Sequence, residues 1–154
     1  CALPIYRLMW MNVKYEPGTV KVVAFDENGK AAEEKEMHSA GQPYQIVLDA
    51  DRKKITADGE DISFVTVSVV DKNGVPCPTA TNQLKFKVSG SGTYRAACNG
   101  DATSLELFHK DTMKLFSGKL VVLVQSSKTA GKIKLEVNGT GLKSSTLSLE
   151  STKL

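Results

Sequence analysis

Lys132-Ile133-Lys134-Leu135-Glu136-Val137-Asn138-Gly139 alternates charged and aliphatic side chains, then ends on a turn dipeptide. A period of two sends Ile133, Leu135 and Val137 to one face of an extended chain and Lys132, Lys134 and Glu136 to the other. Such a strand has one face in a core and one in water. Leu84, Phe86 and Val88 repeat the pattern against Lys85 and Lys87. Ile62 to Val70 and Leu120 to Val124 are instead continuous, β-branched runs, which predict central strands covered on both sides. With Tyr44 to Ala50 and Thr146 to Leu149, about seven strands are expected between residues 44 and 150, an all-β sandwich. Turn signals separate them. Asn-Gly stands at 28–29, 73–74, 99–100 and 138–139, with further breaks at Glu16-Pro17-Gly18, Asp58-Gly59 and Gly139-Thr140-Gly141.

Upstream the pattern is incomplete. Ile5 to Tyr15, Thr19 to Phe25 and Ala32 to His38 predict three strands, and Gly41-Gln42-Pro43 marks a boundary. Ala31 to His38 has helical propensity, but Met37 is its only large apolar residue. A helix this short with no face to bury is marginal, so a polar edge strand is expected. Tyr6, Met9, Trp10, Met11 and Tyr15 read as half of a core. Together with a first residue other than Met, that suggests a piece of a longer protein, the alternative being a mature chain after signal removal. Open strand edges and this aromatic face predict self-association through residues 5–40, a homodimer. Asp101 to Gly118 is irregular, and Leu105, Phe108, Met113, Leu115 and Phe116 are expected to anchor it, with one short helical turn.

Composition excludes several functions. The 154 residues are 41 % hydrophobic and 24 % charged, with 20 Lys and Arg against 17 Asp and Glu, net +3. That surplus is too small to predict a nucleic-acid partner. No apolar run approaches the ~18–20 residues of a membrane span, so no insertion is expected. Cys1, Cys77 and Cys98 have no metal-ligand spacing; free thiols are the main reading and a Cys77–Cys98 disulfide the alternative. His38 and His109 stand alone, and Gly90-Ser91-Gly92 reads as a turn rather than a nucleophile elbow. Asp49, Asp51, Asp58 and Asp61 form the densest acidic patch. Their spacing fits no EF-hand, so turn-forming aspartates are expected, with a weak calcium site as the alternative. No catalytic, cofactor or metal residue is assigned.

Tyr6-Arg7-Leu8-Met9-Trp10 and Val13-Lys14-Tyr15-Glu16-Pro17-Gly18-Thr19-Val20-Lys21-Val22-Val23-Ala24-Phe25 resemble the end of an Ig-like accessory domain. That domain follows the barrel in bacterial β-galactosidases of glycoside hydrolase family two. Leu48-Asp49-Ala50-Asp51-Arg52, Ala57-Asp58-Gly59-Glu60-Asp61-Ile62-Ser63-Phe64-Val65, Val70-Asp71-Lys72-Asn73-Gly74, Gly90-Ser91-Gly92 and Asn99-Gly100-Asp101 resemble the domain after it. That last domain is similar to invasin-type bacterial Ig-like repeats. The earlier strands of the family's first accessory domain, and the barrel with its acid and nucleophile glutamates, have no counterpart in these residues. No glutamate here matches either catalytic motif.

The resemblance implies an immunoglobulin-like β-sandwich over residues 44–154, preceded in 1–43 by the C-terminal half of a second Ig-like domain. It implies a non-catalytic module that spaces, buttresses or oligomerises the barrel, with neighbouring domains of the parent chain as partners. Periplasmic or cell-surface location is implied in the same way. Two alternatives stand beside it: a carbohydrate-binding module and an adhesion-type Ig repeat. Trp10, Tyr6, Tyr15 and Tyr94 are the candidates for sugar or interface contact, because aromatic faces pack on pyranose C–H faces as well as in cores. Asn138-Gly139-Thr140 matches a glycosylation acceptor but is expected to be a hairpin turn.

Overall fold

In the computed structural model, residues 9–153 are described, and they are strand and turn without a helix. They divide into two units, one ending at Ser39 and one running from Ala40. The first holds β1 (Thr19–Phe25) and β2 (Ala31–His38), an antiparallel pair. Both match the expected strands, and β2 is exposed throughout. The expected strand Ile5–Tyr15 does not form over residues 9–15, and Tyr6 lies outside the described residues.

The second unit contains β3 (Gln45–Ala50), β4 (Lys54–Thr56), β5 (Ile62–Val70), β6 (Gln83–Gly90), β7 (Gly92–Cys98), β8 (Thr112–Lys114), β9 (Lys119–Ser126), β10 (Gly131–Gly139) and β11 (Ser145–Thr152). One sheet has the order β4-β11-β10-β6-β8, the other β3-β5-β9-β7. Pairing is antiparallel except for β4 beside β11. The two strands beyond the expected seven or so, β4 and β8, have three residues each. So short a segment carries no readable period, and only its sheet neighbour defines it.

Between the sheets, Ile133, Leu135 and Val137 are fully buried with Ile46, Val65, Val67, Val69, Val122 and Val124. Leu84, Phe86, Met113 and Leu149 join them. Each fully buried aliphatic contributes about 1.5–3 kcal/mol. β5 corrects the expectation of cover on both sides. Ser63, Val65, Val67 and Val69 point inward, whereas Phe64 and Thr66 are exposed. Thr66 and Ser68 share the outward face with Phe64, and only the inward face has a sheet opposite it.

The segment 101–118 is corrected too. Met113 and Leu115 are buried, but Leu105 is 95 % exposed and Phe108 and Phe116 face solvent. No helical turn forms there. Met113 is held because β8 pairs with β6, which puts it opposite Leu84. Asn138-Gly139 is not the turn: both residues pair with β6, opposite Lys85 and Leu84. The reversal comes one residue later, where Leu142 N–H donates to Gly139 O at 3.1 Å.

Two glycines are required by geometry. Ser117-Gly118 closes a two-residue hairpin in which Phe116 and Lys119 exchange backbone bonds of 3.1 and 3.0 Å. Their φ values of 51° and 73° are left-handed, as a type I′ turn demands. A Cβ on Gly118 would lie 2.2 Å from the Cys77 carbonyl oxygen. Gly90-Ser91-Gly92 is a turn, and it carries the chain from one sheet to the other. Ser91 N–H donates to Lys132 O at 2.9 Å, and a Cβ on Gly92 would strike Ile133 at 2.9 Å.

Candidate functional site

Three of the four acids of the patch, Asp51, Asp58 and Asp61, cap backbone amides; Asp49 corrects the expectation, since it forms no turn but lies exposed within β3, opposite Thr66. Asp51 Oδ1 accepts from Arg52 N–H at 2.6 Å, Phe64 N–H at 2.9 Å and the Ser63 hydroxyl at 3.1 Å. Asp58 Oδ1 accepts from Glu60 and Asp61 N–H, both at 2.8 Å. Asp61 Oδ2 accepts from Thr56 N–H at 2.7 Å, and its Oδ1 from Ile62 N–H and Arg52 Nη2, both at 2.9 Å. Arg52 also donates to Ile62 O at 2.6 Å, which ties the β3–β4 turn to the start of β5.

At Asp58 and Asp61 those bonds favour the charged form. Backbone N–H donation from Asp61 and Glu60 lowers the Asp58 pKa, and Thr56 N–H does the same to Asp61, assisted by Arg52. The Thr103 hydroxyl lowers Asp101, and Lys134 lowers Glu136. No carboxyl among those shifted is pushed upward, as a general acid would need. Among the described residues, no group of three or more His, Cys, Asp and Glu is placed to hold a metal.

Sequence reasoning missed Asp71. It is 5 % exposed and holds three backbone amides: Gly41 on Oδ2 at 2.8 Å, Asn73 and Val75 on Oδ1 at 2.8 and 2.9 Å. Asp26 does the same for Asn28 and Lys30, both at 2.9 Å. Asp26-Glu27-Asn28-Gly29-Lys30 and Asp71-Lys72-Asn73-Gly74-Val75 are thus one turn used twice. The Asp two residues before each Asn-Gly was the available signal.

Tyr94 is half-buried, and its ring stacks on Phe86 with centroids 5.8 Å apart. Its hydroxyl lies 3.1 Å from Phe108 O and 2.5 Å from Lys110 O, pinning the loop before β8. Burial, with the Asp111 carboxylate adding to it, pushes the phenol up to about 12. Trp10 is 63 % and Tyr15 74 % exposed, and the Tyr15 hydroxyl donates to Ser39 Oγ at 3.2 Å. Trp10 and Tyr15 belong to the first unit and Tyr94 to the second. Cys77 is buried and Cys98 exposed, both free. Gln83, Lys85, Thr112, Asn138 and Thr140 line an open depression with no aromatic or acid in its wall.

Two packed, mostly antiparallel sheets, with Asp51, Asp58, Asp61 and Asp71 holding the turns between strands, define an immunoglobulin-like accessory sandwich. The chain belongs to the glycoside hydrolase family 2 C-terminal domain 5 family, whose profile matches residues 46–148. A second profile, described as a domain of unknown function (DUF4982), matches residues 3–33. The chain is similar to the β-galactosidase BoGH2A of Bacteroides ovatus, 44 % identical over 142 residues, 92 % of this chain and 17 % of that protein. A crystal structure of a glycosyl hydrolase family 2 member from Bacteroides cellulosilyticus superimposes with a TM-score of 0.85 at 29 % identity. It covers 92 % of this chain and 18 % of that one. The D00-D0 domain of intimin shares the fold, with a TM-score of 0.53 at 18 % identity, covering 90 % of this chain and 66 % of that one. The chain thus spans about a sixth of the curated relatives' length.

Proposed function

We propose that this chain is a non-catalytic accessory module of a β-galactosidase-like hydrolase and that it works by packing against neighbouring domains of a longer chain. The outer face of the four-stranded sheet carries the reading. Phe64 is 47 % exposed there and lies cross-strand from Leu123, with Ala96 continuing the row on β7. Val121 lies two residues from Leu123 along β9, opposite Thr66, and Val47 on β3 is 36 % exposed opposite Ser68. Asp49, Thr66, Ser68 and Lys119 share the face, and a mixed surface with an apolar row of this kind suits an interdomain contact, typically ~600–1,500 Å². The carboxyls support a non-catalytic role, since a retaining glycosidase needs one acid with a raised pKa about 5–5.5 Å from its partner. Residues 1–43 fit the same reading as the C-terminal half of a second Ig-like domain, and export to the periplasm or cell surface goes with it.

The test has two arms. Incubated with a chromogenic β-galactoside, the 154-residue chain is expected to release nothing above buffer. In the full-length parent, Phe64→Ser with Leu123→Ser is expected to lower the melting temperature, while the same pair leaves the 154-residue chain nearly unchanged. Turnover by the chain alone, or a parent indifferent to the pair, overturns the proposal. The exposed Trp10 and Tyr15 favour a second reading, sugar contact. Galactoside binding by the chain that vanishes in Trp10→Ala would establish it.

A further inference from the structure

The two outer faces of the sandwich differ in charge. Along the five-stranded sheet, Lys54, Lys85, Lys87, Lys114, Lys132 and Lys134 are all exposed, each beside a residue buried in the core. Register brings them together: Lys132 stands opposite Glu150, which stands opposite Lys54. Lys134 is opposite Ser148 and Ser89, and Glu136 is opposite Lys87. Lys85 pairs with Asn138 and Thr112.

Residues 40–154 carry 15 Lys and Arg against 11 Asp and Glu, a surplus of four. This one face holds six lysines against two glutamates, Glu136 and Glu150, which is the same surplus. The remainder of the unit, with Asp111 at the rim of this face counted in it, is therefore balanced, and the surplus sits on one sheet face. Acids restrain three of the lysines. Lys134 is bonded to Glu136, Lys54 lies 3.9 Å from Glu150, and Lys85 lies 3.9 Å from Asp111 at the rim. Lys87, Lys114 and Lys132 make no salt bridge within 4.0 Å among the described residues.

We propose that this face binds an acidic polysaccharide built of uronic acids. Lysines two residues apart on a strand are about 6.8 Å apart, so the positive charge is spread thinly. That suits a polymer with one carboxylate per sugar ring. Duplex DNA, with a charge every ~1.7 Å, is too dense for a surplus of four with two glutamates among it. Ser89, Ser148, Thr146 and Asn138 stand between the lysines and offer donors and acceptors to ring hydroxyls. The strand residues on this face include no aromatic, so neither base stacking nor neutral-sugar stacking is on offer. All six cations are lysine, mobile point charges that tolerate a varied chain better than the fixed fork of arginine would.

The experiment is affinity electrophoresis of the 154-residue chain at low salt through gels containing polygalacturonate, dextran sulfate or neutral dextran, with a duplex oligonucleotide in competition. Retardation by polygalacturonate but not neutral dextran is expected, fading as salt screens it. Lys87→Gln/Lys132→Gln/Lys134→Gln should weaken it about tenfold or more. Lys53→Gln/Lys72→Gln/Lys119→Gln removes the same charge elsewhere and should leave it within about twofold. Unretarded wild-type chain overturns the proposal. So does equal loss in the two triple variants, or tighter binding of dextran sulfate or the duplex through the same lysines.

Discussion

The Gly41 amide donates to Asp71 Oδ2 at 2.8 Å across 30 residues of sequence, fastening the segment that enters the sandwich to the turn after β5. The other carboxylate oxygen shapes that turn through Asn73 and Val75. One buried side chain thus serves three backbone donors, each of which would otherwise lack a partner.

Acid should undo this. Donation by Gly41, then Val75, lowers the Asp71 pKa, so the unfolded chain binds the proton more tightly. The contribution to stability is complete above the ordinary carboxylate range, near ~4, and is lost as pH falls from there through the lower folded value. Asp58 and Asp61 act in the same direction. Urea midpoints measured from pH 6 downward should fall below about pH 4, and Asp71→Asn should lower the midpoint at pH 6 while flattening the slope.

Two glycines with nearly the same φ should respond differently to alanine. A Cβ on Gly118, at 73°, meets the Cys77 carbonyl, whereas a Cβ on Gly141, at 75°, would have nothing within 4 Å. Gly141→Ala should cost the left-handed penalty of about 1–2 kcal/mol. Gly118→Ala adds a steric clash with backbone and should cost roughly 3 kcal/mol or more by chemical denaturation.

Leu135 and Leu105 look alike in sequence but differ fully in burial, 0 % against 95 %. Leu135→Ala should destabilise by about 2–5 kcal/mol through the cavity it leaves. Leu105→Ala should fall within about 0.5 kcal/mol of wild type.

Tyr94→Phe keeps the stack on Phe86 and removes the hydroxyl from Phe108 O and Lys110 O. A loss of about 1 kcal/mol is expected, with faster hydrogen exchange concentrated in the loop before β8. In wild type, the folded phenol pushed up to about 12 holds its proton longer than the unfolded one. That contribution is present below about pH 10 and declines as pH rises towards the folded value. Ultraviolet titration of the tyrosines should show a late component that Tyr94→Phe abolishes.

The alternation at Ile133–Val137 and Leu84–Val88 determined the sandwich class, because a period of two leaves a strand only one face to bury. The family likeness was legible for a related reason: turn residues such as Asp71-Lys72-Asn73-Gly74 are dictated by local backbone geometry. What lies across from each strand was not local. Within Ile62–Val70, Val65-Thr66-Val67-Ser68-Val69 already alternates, but Phe64 is as apolar as Val65 and shows its side only once the opposite sheet is in place. Met113 and Leu105 are likewise equivalent until β8 finds its place beside β6. Strand order gathered six lysines from β4, β6, β8 and β10 onto one face, and the chain separates them by up to 80 residues. Periodicity reports which side chains share a face of their own strand; only sheet pairing decides which strands share a face with one another.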